Sequence, residues 1–199
     1  MRKTLTAISA LTFLIATTAF AAVYKIDPAH TNVGFSVKHL VVSTVRGNFN
    51  KFEGSFDFDE KKNEVSKIDV KVDPASINTN NKKRDEHLVS PDFFDAKKNP
   101  ELRFKSDKSV IVKQDQTVKI TGDLTMRGVT KPVTMDLTYG GMVTDAMGTE
   151  KVGFSLRGKI NRKDWGINWN KALDKGGVTV SDEVMIEIDG EGNKEKAAK

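Results

Sequence analysis

Three histidines, His30, His39 and His87, are the side chains here best suited to proton transfer near neutral pH or to holding zinc. Their spacing matches no compact ligand motif, and the sequence has no cysteine to complete a site. The acids Asp85, Glu86, Asp92 and Asp95 could be drawn into a hydrolytic carboxylate pair, but a solvated helix face explains them more simply. No Gly-x-Ser-x-Gly elbow, His-Glu-x-x-His pair, phosphate loop or dinucleotide fingerprint occurs. The chain is therefore not expected to be an enzyme, and no catalytic residue, metal ligand or cofactor is assigned. His39 is the polar residue of most interest, because it ends an alternating apolar run, Val33, Phe35 and Val37. Such a histidine either meets a ligand head group at the mouth of an apolar space or is satisfied by backbone. Arg46 beside Gly47, and Arg84 beside Asp85, could pair with acids or with a phosphate or carbonyl of a ligand.

The elements that must position these groups are strands. Apolar side chains recur at every second position, the mark of strands with one buried and one wet face. Phe52, Gly54, Phe56 and Phe58 form one such row, and Ile68, Val70 and Val72 another. Further rows begin at Leu102, Val110, Val118, Val133, Val152 and Val184, giving eight or nine strands. None of the five prolines interrupts a row, as the missing N–H donor requires. Lys61-Lys62-Asn63, Gly140-Gly141 and Lys175-Gly176-Gly177 read as turns, so antiparallel hairpins follow. Only Leu40 to Val45 and Arg84 to Phe94 could be helical, the second with Asp85 as its cap and Leu88, Phe93 and Phe94 as its apolar side. Both are short enough to be lids or plugs rather than a layer.

Eight or more half-apolar strands must close into a barrel or stack as a sandwich. Long strands in regular succession, with Gly54, Gly122 and Gly158 on the apolar face, favour the barrel, whose interior would hold side chains or one small ligand. In a solid core those glycines should be matched by large neighbours, whereas around a cavity they leave room.

The 199 residues carry a formal charge of +5. Residues 1–21 have a basic start at Arg2 and Lys3, a short apolar stretch from Leu5 to Ala16 and a small-residue end, Ala19-Phe20-Ala21, which is the pattern of a cleaved secretory signal. The apolar stretch is shorter than the ~20 residues of a spanning helix. Losing Arg2 and Lys3 would leave +3, with no basic run interleaved with aromatics, so nucleic acid is not an expected partner. Export of a cysteine-free chain fits the periplasm. The expected organisation is a signal peptide at 1–21, one β-barrel domain at 22–190 and a polar tail at 191–199.

Several blocks, in order, resemble the YceI-like family of bacterial periplasmic proteins. They are Ile26-Asp27-Pro28-Ala29-His30-Thr31, Val33 to Leu40, Arg46-Gly47-Asn48-Phe49, Arg84 to Leu88, Asp92 to Asp95, Gly122 to Val133 and Asn161 to Gly166. The resemblance spans Tyr24 to Asp189 and implies an all-β fold, an extended antiparallel eight-stranded β-barrel of lipocalin type with one or two short helices. It also implies binding rather than catalysis, with a polyisoprenoid such as an isoprenoid quinone as the ligand class. Carried onto this sequence, Phe35, Val37, Phe52, Phe56, Leu124, Met126, Met135 and Phe154 would line the lipid chain. His39, Arg46 and Asp85 would sit where the polar blocks gather. Expected partners are thus a long-chain apolar lipid and, at most, a second copy in a homodimer, with no transmembrane segment in the mature chain. The alternative is a structural or interaction protein with a solid-packed barrel.

Overall fold

The computed structural model describes residues 21–40, 42–172 and 179–196. The Lys175-Gly176-Gly177 turn and nearly all of the export signal lie outside them. Strands β1 (Ala22–Ile26), β2 (Asn32–His39), β3 (Ser43–Phe49), β4 (Phe52–Asp59), β5 (Glu64–Val72) and β6 (Ile77–Asn78) come first, followed by helix α1 (Lys82–Leu88). Then follow β7 (Leu102–Ser106), β8 (Val110–Ile111), β9 (Thr117–Met126), β10 (Val129–Thr144), β11 (Glu150–Asn161) and β12 (Val180–Lys194).

Eight strands close into an antiparallel barrel in the order β1-β4-β5-β7-β9-β10-β11-β12, with β12 returning to β1 through Tyr24↔Lys194 to Ile26↔Gly192. Closure leaves no exposed edge along the ring. Strand β12 is long enough to serve two partners on one side: Gly192 to Lys194 take β1, and Val180 to Asp189 take β2. Beyond β2, strands β3 and β6 extend the sheet upward as a flap. The β9–β10 hairpin turns through Arg127 and Gly128, both at positive φ (51° and 73°), the geometry whose twist matches antiparallel partners.

Several sequence expectations need correction. Leu40 to Val45 is not a helix: Leu40 turns the chain at φ 52°, and β3 starts at Ser43. Val42, Thr44 and Val45 are β-branched, and Val45, Gly47 and Phe49 continue the inward row opposite Val37, Phe35 and Val33, so strand pairing prevails. Gly140-Gly141 is not a turn either. The β10 strand runs through it with a bulge at Gly141 (φ 102°), and the chain reverses at Asp145, which accepts from the amides of Met147 and Thr149 at 2.9 Å each. The helix begins earlier than expected, at Lys82, because Asn81 rather than Asp85 caps it by accepting from the Arg84 amide (3.1 Å). Residues 191–194, expected in the tail, belong to β12, since barrel closure needs their backbone groups.

Candidate functional site: a one-ended apolar cavity

The inside of the barrel differs between its two ends. The end holding the β10–β11 hairpin, the start of β1 and the end of β12 is packed solid. Tyr24 stacks on Phe56 (centroids 5.6 Å apart) and meets Phe58 edge-on (6.0 Å), Phe58 packs on Tyr139 (5.4 Å), and Phe154 abuts Phe56 (5.7 Å). Val112, Ile120 and Val152 fill the gaps and are fully buried. Tyr24 is sealed so well that burial pushes its phenol pKa up to about 12.

Toward the other end the side chains no longer meet, leaving a cavity of about 220 Å³. Its wall comes from β2, β5, β7, β9, β10, β11 and β12, and its roof from Leu88 of α1 with Phe93 and Phe94 just after it. Phe94 reaches Phe49 of the flap edge-on at 5.8 Å, while Phe93, His87 and Trp169 pack together with centroids 5.0 to 5.2 Å apart. All wall residues are apolar except Arg103 and Arg162. The guanidinium of Arg103 is paired with Asp69 (2.5 and 2.8 Å), whose carboxyl it holds below the usual carboxylate range.

Arg162 is the polar residue that sequence reasoning passed over. It is 3% exposed, and burial lowers its pKa against the opposing pull of Asp182. Its Nε donates to Ser181 O (3.0 Å), Nη1 to Ile167 O (2.7 Å) and Trp169 O (2.8 Å), and Nη2 to Asp182 Oδ1 (3.3 Å). Nearly all its donor capacity therefore goes to the protein, leaving little for a ligand. The signal was present in the sequence: the inward row Val152, Phe154, Leu156, Gly158 and Ile160 arrives next at Arg162.

Of the expected lipid-lining residues, Phe35, Val37, Leu124, Met126 and Met135 border the cavity. Phe56 and Phe154 lie below it in the aromatic packing. Phe52, the first residue of β4, borders a surface groove with Lys51, Glu53 and Lys71 instead. The three polar residues are not gathered around the cavity. His39 ends β2 beyond the wall, half-buried. Arg46 is exposed, because Val45 and Gly47 take the inward phase on either side of it. Asp85 is bound to the Thr79 amide (2.9 Å) and hydroxyl (2.5 Å), and so fixes the start of the lid. Arg84 completes that knot by donating to Thr79 Oγ1 and O, both at 2.7 Å.

The inward glycines do not leave room. A Cβ on Gly122 would lie 2.5 Å from Phe104 Cζ, one on Gly158 2.7 Å from Met135 Cγ, and one on Gly54 2.8 Å from Asp69 O. Gly158 thus seats a neighbouring side chain, Gly122 is pressed by both the Phe104 ring and the Lys105 carbonyl, and backbone lies nearest Gly54. The cavity is therefore not made by space at these three glycines.

The three histidines do not converge. His30 Nδ1 pairs with Asp27 Oδ2, and His87 Nε2 with Asp92 Oδ2, each at 2.8 Å. Asp27, His30 and Glu191 do form a cluster of metal-ligand type, but Lys151 is inserted into it, 3.4 Å from both carboxylates, and Asn193 donates to Asp27 at 3.2 Å. The hydrogen bond with His30 is the main cause holding the Asp27 carboxyl far below its usual range. This is a polar latch where β12 meets the β1–β2 connection.

A closed eight-stranded antiparallel barrel, solid at one end and hollow and roofed at the other, defines a calyx-type β-barrel protein. Residues 24–192 match the YceI-like domain, and the chain belongs to that family. A UPF0312 protein of Pseudomonas putida is 41% identical over 199 residues, covering 98% of this chain and 100% of the relative. The crystal structure of the Campylobacter jejuni YCEI protein is similar at 40% identity and a TM-score of 0.69, covering 86% of this chain and 97% of that one. A domain from Saccharophagus degradans, described as polyisoprenoid binding and implicated in plant cell wall breakdown, shares the fold at 12% identity and a TM-score of 0.59. It covers 88% of this chain and 99% of that one. Among the described residues, no helix is long and apolar enough to cross a membrane.

Proposed function

We propose that this protein binds a long-chain isoprenoid lipid, of the isoprenoid quinone or polyprenyl type, inside the barrel, and carries or sequesters it in the periplasm without acting on it chemically. The observation that supports this reading is the cavity itself: about 220 Å³ walled by apolar side chains, with its two arginines already engaged by protein groups. An apolar chain entering it leaves no buried donor or acceptor unpaired, and each methylene removed from water contributes ~0.8 kcal/mol. The polar head of such a lipid would remain at the mouth, near α1 and the 166–170 loop. Met126 and Met135 in the wall adapt to irregular methyl-branched shapes. The fold shared with a domain described as polyisoprenoid binding supports the same ligand class, and the export pattern of residues 1–21 supports the location.

The test is organic extraction of natively purified protein followed by mass spectrometry, then incubation of the stripped protein with prenyl quinones. Co-purifying or newly bound prenyl lipid is expected. Met135→Trp, which fills the cavity, should weaken binding strongly, while Lys119→Ala on the outer face, where Lys119 pairs with Asp136 at 2.6 Å, should not. A protein that carries no lipid and gains none supports the solid-barrel alternative, which the filled positions at Gly122 and Gly158 favour.

A further inference from the structure

Resting on that lipid-binding reading, we infer that Phe154 is the floor of the cavity and sets the length of apolar chain the barrel accepts. In β11 the inward row descends from Ile160 past Gly158 to Leu156, and Phe154 is the next inward residue below. Ile160 and Leu156 border the cavity and Phe154 does not, so the void stops at this row. The stop is rigid. Phe154 meets Phe56 edge-on (5.7 Å), Phe56 stacks on Tyr24 (5.6 Å), and Tyr24 is fully buried. Gly192 lets the Phe56 ring lie against the β12 backbone, since a Cβ there would come within 2.6 Å of it. A chain sliding down the barrel therefore ends against stacked rings rather than in a soft, Met-lined space.

The depth follows from strand geometry. Leu156 to Ile160 spans four residue steps, ~13 Å along the strand and ~10 Å along the axis of a barrel whose strands tilt ~35–45°, and the cavity runs on past Ile160 to Arg162 and Ile167. Carbon–carbon bonds of ~1.5 Å make an extended isoprene unit ~5 Å long, so the hollow part accommodates about two to three units. Units beyond that number stay at the mouth in contact with water. Affinity should then climb with chain length and level off at a break. Removing the Phe154 ring opens one further two-residue step, ~6.6 Å along the strand and ~5 Å along the axis, or about one isoprene unit.

The experiment is calorimetric titration of the purified, lipid-stripped protein with linear prenyl alcohols of about two to about six units. For the native protein each added unit should raise affinity at least about tenfold up to about three units, with little further gain. Phe154→Ala should move the break longer by about one unit, Phe154→Leu should move it less in the same direction, and Leu156→Phe should move it shorter. Circular dichroism identifies the variants that fold. If Phe154→Ala does not fold, the opposite shifts expected of Phe154→Leu and Leu156→Phe decide the matter. Binding with a break that stays at one length in the folded variants, or with no break at all, overturns the floor while leaving lipid binding intact. Failure of the native protein to bind any of the alcohols overturns the lipid reading itself and the floor with it.

Discussion

Replacing Arg162 probes the structure most directly. Its guanidinium donates to the carbonyls of Ile167, Trp169 and Ser181 and to Asp182, and thereby ties the loop after β11 to the first residues of β12. In Arg162→Met the side chain keeps much of its volume but loses every donor. The Ile167 carbonyl is then left in a buried position without a partner, and those of Trp169 and Ser181 keep only partial access to water. An unsatisfied buried acceptor costs about 1–3 kcal/mol, and removing one member of a buried ionic network about 3–5 kcal/mol. The two ranges meet near ~3 kcal/mol, a loss that lowers the melting temperature of a domain this size by ~6–12 °C. Arg162→Lys should recover little, because an ammonium on a single stem cannot reproduce a planar fork spanning three carbonyls. Urea unfolding followed by far-UV circular dichroism measures the loss. The emission of Trp165 and Trp169, the two tryptophans of the chain, reports whether the loop has released Trp169 from His87 and Phe93. A loss below about 1 kcal/mol, or an unchanged emission maximum, refutes the role given to Arg162.

Three further outcomes are expected. The Asp27 carboxyl is held low by His30, the Ala29 amide, Asn193 and Lys151, so its stabilisation is fully present above the unfolded value near ~3.9 and is lost as pH falls toward the lower folded value. Stability measured by urea unfolding should decline below about pH 4, and Asp27→Asn should flatten that acid limb; parallel limbs for the two proteins would contradict the latch. Tyr24, with its pKa pushed up to about 12 by burial, favours the fold below the unfolded value near ~10 and loses that contribution as pH rises toward 12. Its tyrosinate absorbance should therefore appear about two units later in native than in urea-unfolded protein, a delay that Tyr24→Phe abolishes for this group. Gly122→Ala places a methyl group 2.5 Å from both the Lys105 carbonyl and Phe104, and should cost about 1–3 kcal/mol in urea unfolding, since overpacking forces backbone and ring to shift.

The barrel was legible because its physics is local. Rows such as Ile68-Val70-Val72 alternate on a period of two, and the residue types that alternate also face inward in the closed sheet. Where the sequence misled, a tertiary partner decided the outcome. Leu40 to Val45 looked helical because its apolar residues are contiguous, but β2 offered Val37 and Phe35 as cross-strand partners for Val45 and Gly47. The aromatic rows gave the faces but not the depths. Nothing in the spacing of Phe35, Phe56 and Phe154 tells which ring borders a void and which is stacked in a floor, because that depends on which strands pair above and below it. His39, Arg46 and Asp85 failed to converge for a related reason: sequence blocks rich in polar residues mark caps and turns as readily as ligand sites, and Asp85 serves Thr79.

The two ends of the barrel divide the work of stability and access between them. At the floor, β12 closes on β1, and Lys194 bridges Glu60 and Glu150 at 3.2 and 2.7 Å beside Tyr24. Here strands distant in sequence are joined by both backbone ladders and charged groups. At the roof, α1 and the segment after it have no ladder to the barrel. They are held by side chains gripping backbone, Arg84 and Asp85 on Thr79 and Arg127 on the carbonyls of Pro91 and Phe93, and by the packing of Phe93 on Trp169 and of Phe94 on Phe49. Such contacts break in small groups, whereas a closed sheet opens cooperatively. A solid floor under a roof joined to the barrel by side chains rather than by a strand ladder would let an apolar chain of the proposed kind enter without the sheet coming apart. Tyr24 and Phe58, the rings with almost no exposure, lie at the solid end, while Trp165 and Phe93 seal the roofed one.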